Sequence, residues 1–352
     1  MSRKHRFAAL EALALDRILI LDGGMGTQIQ DFKLEEADFE GSRFAGWEIP
    51  LKGNNDLLNI TRPDVIAAIH RQYIDAGADL IETNTFSATT IAMADYKMEH
   101  LAAEIAREGA KLAREAADQA SEELGRPIGV LGAIGPTNKT LSLSPNVNDP
   151  GFREVTFDEV RGAYYEQAEA MASFVDFFLV ETVFDTLNAK AAIKALLDLQ
   201  AASGEALPII ISGTITDASG RTLSGQTAEA FWASVRHAKP WAVGINCALG
   251  PDLMRQHVAA LARFADTRII TYPNAGLPNA FGEYDETPEQ FSGSLEEWAA
   301  SGLVNVLGGC CGTTPGHIAA VAEAAKGKPA RAIPEPSGKM LLSGLEPFEL
   351  AG

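Results

Sequence analysis

Apolar and polar positions come in blocks along this 352-residue chain. A short, continuously apolar stretch runs into a polar or glycine-rich corner, and a longer segment with helical periodicity follows. The apolar stretches are "ILILDGG" (18–24), "DLIETNTF" (79–86), "PIGVLGAIG" (127–135), "FFLVETVFD" (177–185), "PIIISGTIT" (208–216), "WAVGINCAL" (241–249), "RIITYPNAG" (268–276) and "VNVLGGCCG" (304–312). A run that begins apolar without alternation marks a strand covered on both faces. Between them, "RPDVIAAIHRQYIDAGA", "HLAAEIAREGAKLAREAADQASEELG" and "DTLNAKAAIKALLDLQAA" read as amphipathic helices. Pro63 and Pro315 suit first-turn helix positions.

Eight strand–helix units predict an α/β fold, the (β/α)8 TIM barrel, with a doubly wound open sheet as the alternative. The barrel is expected over residues 1–325. The proline- and glycine-rich remainder, 326–352, reads as an extended tail, a strap or a linker stub. Helix-to-strand connections are short, whereas several strand-to-helix connections are long: 31–62, 136–156 and 273–287. In a barrel those long connections share one face, where they can cover a substrate.

The bulk numbers narrow the class of partner. A formal charge of -18 would repel a phosphate backbone, so no nucleic-acid partner is expected. Three cysteines are too few for a disulfide framework, which points to a reducing, cytoplasmic setting. The N-terminal stretch begins basic and turns apolar like a signal peptide, but Glu11 and Asp16 interrupt it and no cleavage pattern follows. No run is long enough for a membrane span, so no membrane association is expected.

The strand ends carry the chemistry. Asp22 closes the first strand, Glu82 and Asn84 the second, and Glu181 and Asp185 the fourth. Asn246 and Cys247 close the sixth, Tyr272 and Asn274 the seventh, and Cys310 and Cys311 the eighth. All three cysteines therefore fall at one end of the expected barrel. Three thiolates facing an open pocket suit a zinc ion with a free fourth position. Gly308, Gly309 and Gly312 allow the bend that turns adjacent cysteines toward one metal. The bland reading is that each cysteine is a small core hydrophobe.

The histidines offer a contrast. His70, His100, His237, His257 and His317 fall in helical segments and His5 near the N-terminus, so they are expected to be solvated helix residues rather than ligands. No lysine sits at a strand end, Lys139 being nearest, which disfavours Schiff-base chemistry. Asp22 could cap a turn, Gly23, Gly24 and Gly26 could be turn residues, and Glu82 and Glu181 could pair with arginines. Several carboxylates in one barrel mouth also suit a cationic group such as an amino acid's ammonium.

A tris-thiolate zinc activates water poorly but binds a fourth thiol as thiolate, which suits alkyl transfer to sulfur. The motifs "DGGMGT", "ETNTF", "GINCALGP", "YPNAG" and "GGCCGTTP" resemble those of the homocysteine S-methyltransferases. The likeness is strongest to the homocysteine-binding barrel of cobalamin-dependent methionine synthase. It runs from about residue 10 to "LSGLEPF" in the tail. The resemblance implies a zinc-dependent transfer of a methyl group to homocysteine, giving methionine. It implies Cys247, Cys310 and Cys311 as zinc ligands, homocysteine sulfur as the fourth, and Asn274 in that place when substrate is absent. It assigns the substrate ammonium to Asp22 and Glu181; Glu82, Asn246 and Asn274 complete the candidate substrate contacts.

In that family the barrel is usually followed by folate, corrinoid and reactivation domains; here they are expected either as separate chains, or to be replaced by direct use of a smaller methyl donor, or to belong to a longer chain of which this sequence is a piece. The "LSGLEPF" stretch favours a split methionine synthase, with methylcobalamin supplied by a corrinoid-binding protein and a folate-binding protein acting in trans. One alternative is a stand-alone enzyme using a betaine, a methylsulfonium compound or S-methylmethionine. Phe44, Trp47, Phe86 and Tyr96 would then be candidate aromatic walls for a cationic donor. Two other readings remain: a non-catalytic thiol- or zinc-binding subunit, and a metal-free sugar-phosphate barrel.

Overall fold

The apolar stretches form eight parallel strands: β1 (Leu19–Ile20), β2 (Leu80–Glu82), β3 (Gly129–Ile134), β4 (Phe177–Val183), β5 (Ile209–Gly213), β6 (Ala242–Asn246), β7 (Arg268–Tyr272) and β8 (Val306–Leu307). The structure is a computed structural model that describes residues 1–216, 219–336 and 338–350. Each strand pairs with its neighbour in sequence, and β1 pairs with β8. A parallel bridge between Leu21 and Leu80 joins β1 to β2. The Asp22 amide donates to the Leu80 carbonyl (3.0 Å) and the Asp79 amide to the Ile20 carbonyl (2.7 Å). These contacts shut the seam, so the sheet is a closed (β/α)8 barrel and not the open alternative.

An outer helix follows each strand, with short additional helices in the first two connections: Pro63–Asp75, Ala102–Leu124, Phe157–Met171, Thr186–Ser203, Ala228–Val235, Pro251–Phe264, Pro288–Ala300 and Pro315–Ala325. Proline opens four of them at a position whose amide has no helical partner anyway. Thr156 with Glu159, and Thr287 with Gln290, form reciprocal capping boxes. Left-handed Gly125 and Gly204 end two others.

Two apolar layers result. Phe178, Val180, Ile211 and Val243 point outward against the helices. Leu19, Leu21, Leu80, Leu131, Phe177, Leu179, Ile210 and Ile270 fill the barrel interior. The N-terminal segment is a helix, Arg3–Asp16, whose Leu10 and Ala14 join that interior cluster. A Cβ at Gly129 would lie 2.8 Å from the Leu10 side chain, so the strand admits this plug only as glycine. The basic-then-apolar pattern is thus an amphipathic plug on the N-terminal end of the barrel.

The expectation of solvated histidines fails at two positions. His70 is fully buried, and neither ring nitrogen has a hydrogen-bond partner in the protein. Burial pushes its imidazole down to about 4. His317 is also buried and hydrogen-bonded to backbone groups.

The tail lies against the barrel. Arg331 donates to the carbonyls of Ala262, Ala265 and Thr267 at 2.6–3.0 Å. Strands β9 (Leu341–Ser343) and β10 (Pro347–Glu349) then pair antiparallel. Ser343 Oγ donates to the Ala230 carbonyl (2.7 Å), and the Thr227 amide donates to the Leu345 carbonyl (3.1 Å). Among the described residues, no helix is long and apolar enough to cross a membrane.

Candidate functional site

All long strand-to-helix connections open on the C-terminal end of the barrel, and the three cysteines gather there. The Cys247 and Cys311 sulfurs are 3.8 Å apart, those of Cys310 and Cys311 4.0 Å, and all three lie within 4.8 Å of one another. Three ligands about 2.3 Å from a tetrahedral zinc would be roughly 3.8 Å apart, whereas a disulfide would bring two sulfurs to about 2.05 Å. The thiols are free and half-buried. The donor set and its spacing therefore fit a metal with a vacant fourth side.

Local backbone geometry sets this up. Cys247 and Ala248 both occupy the left-handed region, at φ +59° and +57°. Such a pair is unfavourable for residues with a Cβ, and it turns the chain sharply at the end of β6. The Cys247 amide donates to the Tyr272 carbonyl (3.3 Å), which fixes the turn to β7. The vicinal pair is held from below by the Cys310 amide donating to Pro273 (2.8 Å) and from the side by the Cys311 amide donating to Asn274 Oδ1 (3.1 Å). The Gly309 amide donates to the Asp22 carbonyl (3.1 Å), and the Gly312 amide to Thr27 Oγ1 (2.8 Å). Thr313 Oγ1 donates to the Cys310 carbonyl (2.7 Å) and accepts from the Gly24 amide (3.0 Å). The buried Tyr73 hydroxyl lies 3.1 Å from the carbonyls of both Gly24 and Thr313. The "DGGMGT" corner and the "GGCCGTTP" corner are thus one stitched unit.

Beside the sulfurs lie three buried carboxyls. Asp22 Oδ2 accepts the Glu82 amide at 2.9 Å. Burial, then the neighbouring Glu82 charge, pushes the Asp22 carboxyl well up from its ordinary range. Burial pushes Glu82 up to about 8, and its Oε1 has no partner in the protein. Glu181 is pushed well up by burial first, and then by Glu82, Asp22 and Cys311. Neither Glu82 nor Glu181 joins an ion pair among the described residues, so the arginine-pairing alternative is not what this mouth contains. Three acids forced together this way favour a cation arriving from outside.

Glu181 points inward because β4 alternates through Phe177 and Leu179. The pairing of β4 with β5 shifts after Val180, and Thr182 sits at φ +55°. Asn246 braces that bulge. Its Oδ1 accepts from the Thr182 amide (3.1 Å) and Ser212 Oγ (2.7 Å), and its Nδ2 donates to Thr182 Oγ1 (2.8 Å). Asn84 is turned away from this pocket toward Asn55 and Asn59, and Asp185 caps the following helix.

Hydrogen bonds from Cys247 and Cys310 hold the Cys311 thiol well below its usual range, while Cys310 is pushed up through its contacts with Cys247 and Cys311. Tyr284, from the 273–287 connection, lies with the base of its ring against the Gly312 backbone, next to Cys311. Tyr73, Thr27, Thr313 and Tyr284 were not legible as site residues. Thr27 and Thr313 lie inside the quoted motifs but carry no role of their own there, whereas Tyr73 and Tyr284 lie in a helix and a loop with no local signal.

Of the four aromatic candidates, Phe44 and Trp47 pack edge-to-face at 5.8 Å, and the Trp47 indole donates to the Tyr96 carbonyl (3.0 Å). They order the 31–62 connection itself. Phe86 is 38% exposed, lying over Gly135.

A family model for homocysteine S-methyltransferases matches residues 19–325. The chain belongs to the homocysteine S-methyltransferase family. The match spans every strand and helix of the barrel, including both corners that carry the cysteines. Among solved structures, the metallated form of the homocysteine methyltransferase MmuM from Escherichia coli superposes with a TM-score of 0.69 at 23% identity, covering 89% of this chain and 98% of that one. The apo form of the same enzyme gives 0.64 at 22% identity, covering 91% and 99%. At that identity the likeness speaks for the fold. Methyl transfer to homocysteine follows from family membership.

Proposed function

We propose that this homocysteine methyltransferase holds zinc on Cys247, Cys310 and Cys311 and receives its methyl group from a corrinoid protein supplied in trans, as one component of a split methionine synthase. The observation that carries the metal reading is the spacing of three free sulfurs, 3.8 and 4.0 Å, in a barrel mouth. Bound zinc supplies one thing here: it lets a fourth thiol lose its proton at neutral pH.

The chain's own residues do the rest. Asp22 and Glu181, with Glu82 behind them, receive the substrate ammonium, and their elevated carboxyls lose protons as that cation arrives. Anchoring the amino end fixes which end of homocysteine reaches the sulfurs. The methyl carbon–sulfur bond forms as the bond from methyl to its donor breaks, the electron pair leaving with the donor. Asn274 holds the Cys311 amide through its side-chain oxygen and so sets the angle of the vicinal pair.

Exposed apolar side chains on the catalytic face support a macromolecular donor. Val147 is 94% and Phe281 89% exposed, on two separate strand-to-helix connections, with Leu277 also exposed. Apolar residues at loop tips around a mouth suit a docking protein better than water. The small-donor reading keeps one favourable observation, the half-exposed Phe86 ring at the end of β2.

The deciding assay offers homocysteine with a methylated corrinoid protein, free methylcobalamin, a betaine, a methylsulfonium compound and S-methylmethionine in parallel. Methionine formed only with the corrinoid donors is expected. Turnover with a small donor alone would replace the split-synthase reading.

A further inference from the structure

Thr182, one residue past Glu181, sits at φ +55°. A β-branched residue in the left-handed region is a genuine outlier, and it persists only where its surroundings fix it. The ladder slips at the same place. Val180 pairs with Ile211 and Val183 with Gly213, so Glu181 and Thr182 together face Ser212 alone. Side-chain parity changes with the slip. Phe178 and Val180 belong to the outer layer, and so does Val183, which an unbroken strand would turn inward. Glu181 is therefore the last inward residue of β4 before the bulge.

Asn246, at the end of β6, holds that bulge from two strands away. It is fully buried. Its Oδ1 accepts the Thr182 amide (3.1 Å) and Ser212 Oγ (2.7 Å), and its Nδ2 donates to Thr182 Oγ1 (2.8 Å). Its carbonyl accepts Thr214 Oγ1 (3.0 Å), and the Thr214 amide donates to the Val183 carbonyl (2.9 Å) beyond the bulge. The next residue in the chain is Cys247, itself left-handed. One side chain thus joins the neighbour of a mouth carboxyl to the neighbour of a cluster sulfur, across β4, β5 and β6.

We propose that Asn246 is a positioning residue that fixes Glu181 relative to the Cys247 sulfur, so that the two ends of one homocysteine are held together. This rests on the reading above, in which the acids take the ammonium and the sulfurs the metal. Asn246 then acts through Thr182 rather than as the substrate contact that the resemblance suggested, both ends of its amide being turned to the bulge. Without those bonds the left-handed backbone at Thr182 loses its supports, and Glu181 beside it loses its fixed direction. Misplacing a positioning group by about 1 Å can cost on the order of 100-fold.

The test compares homocysteine with 4-mercaptobutyrate, the same thiol without the ammonium. Both are titrated calorimetrically into the zinc-loaded parent, Thr182→Val, Thr182→Ser and Asn246→Ala, with folding checked by thermal melting. Thr182→Val keeps the side-chain shape and removes the acceptor for Asn246 Nδ2, which Thr182→Ser retains. The parent is expected to prefer homocysteine. Thr182→Val is expected to bind homocysteine about tenfold more weakly and 4-mercaptobutyrate as the parent does. Thr182→Ser is expected to match the parent, and Asn246→Ala to lose more than Thr182→Val. Should Asn246→Ala melt early, Ser212→Ala deletes another of its bonds without adding bulk and is expected to lose in the same direction. A parent that takes up no zinc, or binds the two thiols equally, would overturn the readings on which this rests. A parent with the preference, beside variants that keep it in full or lose both thiols alike, would overturn the role of Asn246 alone.

Discussion

Asp22 accepts the backbone amide of Glu82 through Oδ2 at 2.9 Å, so one buried carboxyl orients the residue that carries the next. The bond spans the seam where β1 meets β2, and both acids face the same mouth. Asn at position 22 keeps an acceptor for that amide and removes the charge. Asp22→Asn is expected to fold normally and keep its metal. Its homocysteine dissociation constant should rise roughly 10–100-fold, the value of one charge-assisted hydrogen bond. Calorimetric titration checks this, and an unchanged constant removes Asp22 from ammonium binding.

Each cysteine of the cluster should be indispensable for metal and dispensable for fold. None of them contributes a core side chain to the barrel layers, Cys310 only packing against the interior cluster from one side. Cys247→Ala and Cys310→Ala are expected to lose bound zinc and methyl transfer while keeping the circular dichroism of the parent. Zinc retained at one equivalent in both variants contradicts the site.

The barrel was legible because eight short apolar stretches, each ending in a polar or glycine-rich corner, suit strands covered on both faces, and each is followed by a helical period. The candidate site was legible because a barrel puts every strand end on one face, so cysteines 63 positions apart, 247 and 310, are expected to meet. What stayed hidden depended on geometry with no local pattern. Nothing in "CALG" announces two left-handed residues at Cys247 and Ala248. A polar period on a helix suggests solvent, yet His70 faces the core without partners. Tyr284 reads as one more loop aromatic until the Gly312 backbone is seen beneath it. Nothing in the sequence of the helix Arg3–Asp16 says that its Leu10 and Ala14 close the N-terminal end of the barrel.

Gly312→Ala tests the close approach under Tyr284. The new methyl group meets the ring at 2.3–2.8 Å, in a backbone conformation unfavourable to alanine. The variant is expected to displace the 273–287 connection and lose metal affinity by about tenfold or more. Chelator competition reads the loss. Wild-type affinity would show that the loop is not seated on the cysteine turn.

His70 gives the acid limb of stability a specific source. Its imidazole is pushed down to about 4 from an ordinary 6.5, because burial disfavours the charged ring. The unfolded chain therefore binds more protons between those values, and stability falls as pH drops from about 6.5 toward 4. Asp56, pushed up to about 7 by burial, has the opposite sign and is common to any His70 variant. His70→Leu is expected to lose about 2 kcal/mol less than the parent between pH 7 and pH 5, at about 1.4 kcal/mol per unit. Urea midpoints at the two pH values check the difference, and parallel losses would place the acid limb elsewhere.

The central claim is that Cys247, Cys310 and Cys311 hold one zinc with a position open to homocysteine sulfur. Zinc-edge X-ray absorption of the freshly reduced protein, with and without homocysteine, tests it most directly. One zinc per chain is expected, with three sulfur neighbours at about 2.3 Å becoming four on adding homocysteine. A reduced, reconstituted protein without zinc, or a sulfur count that stays at three when homocysteine binds, would contradict the account.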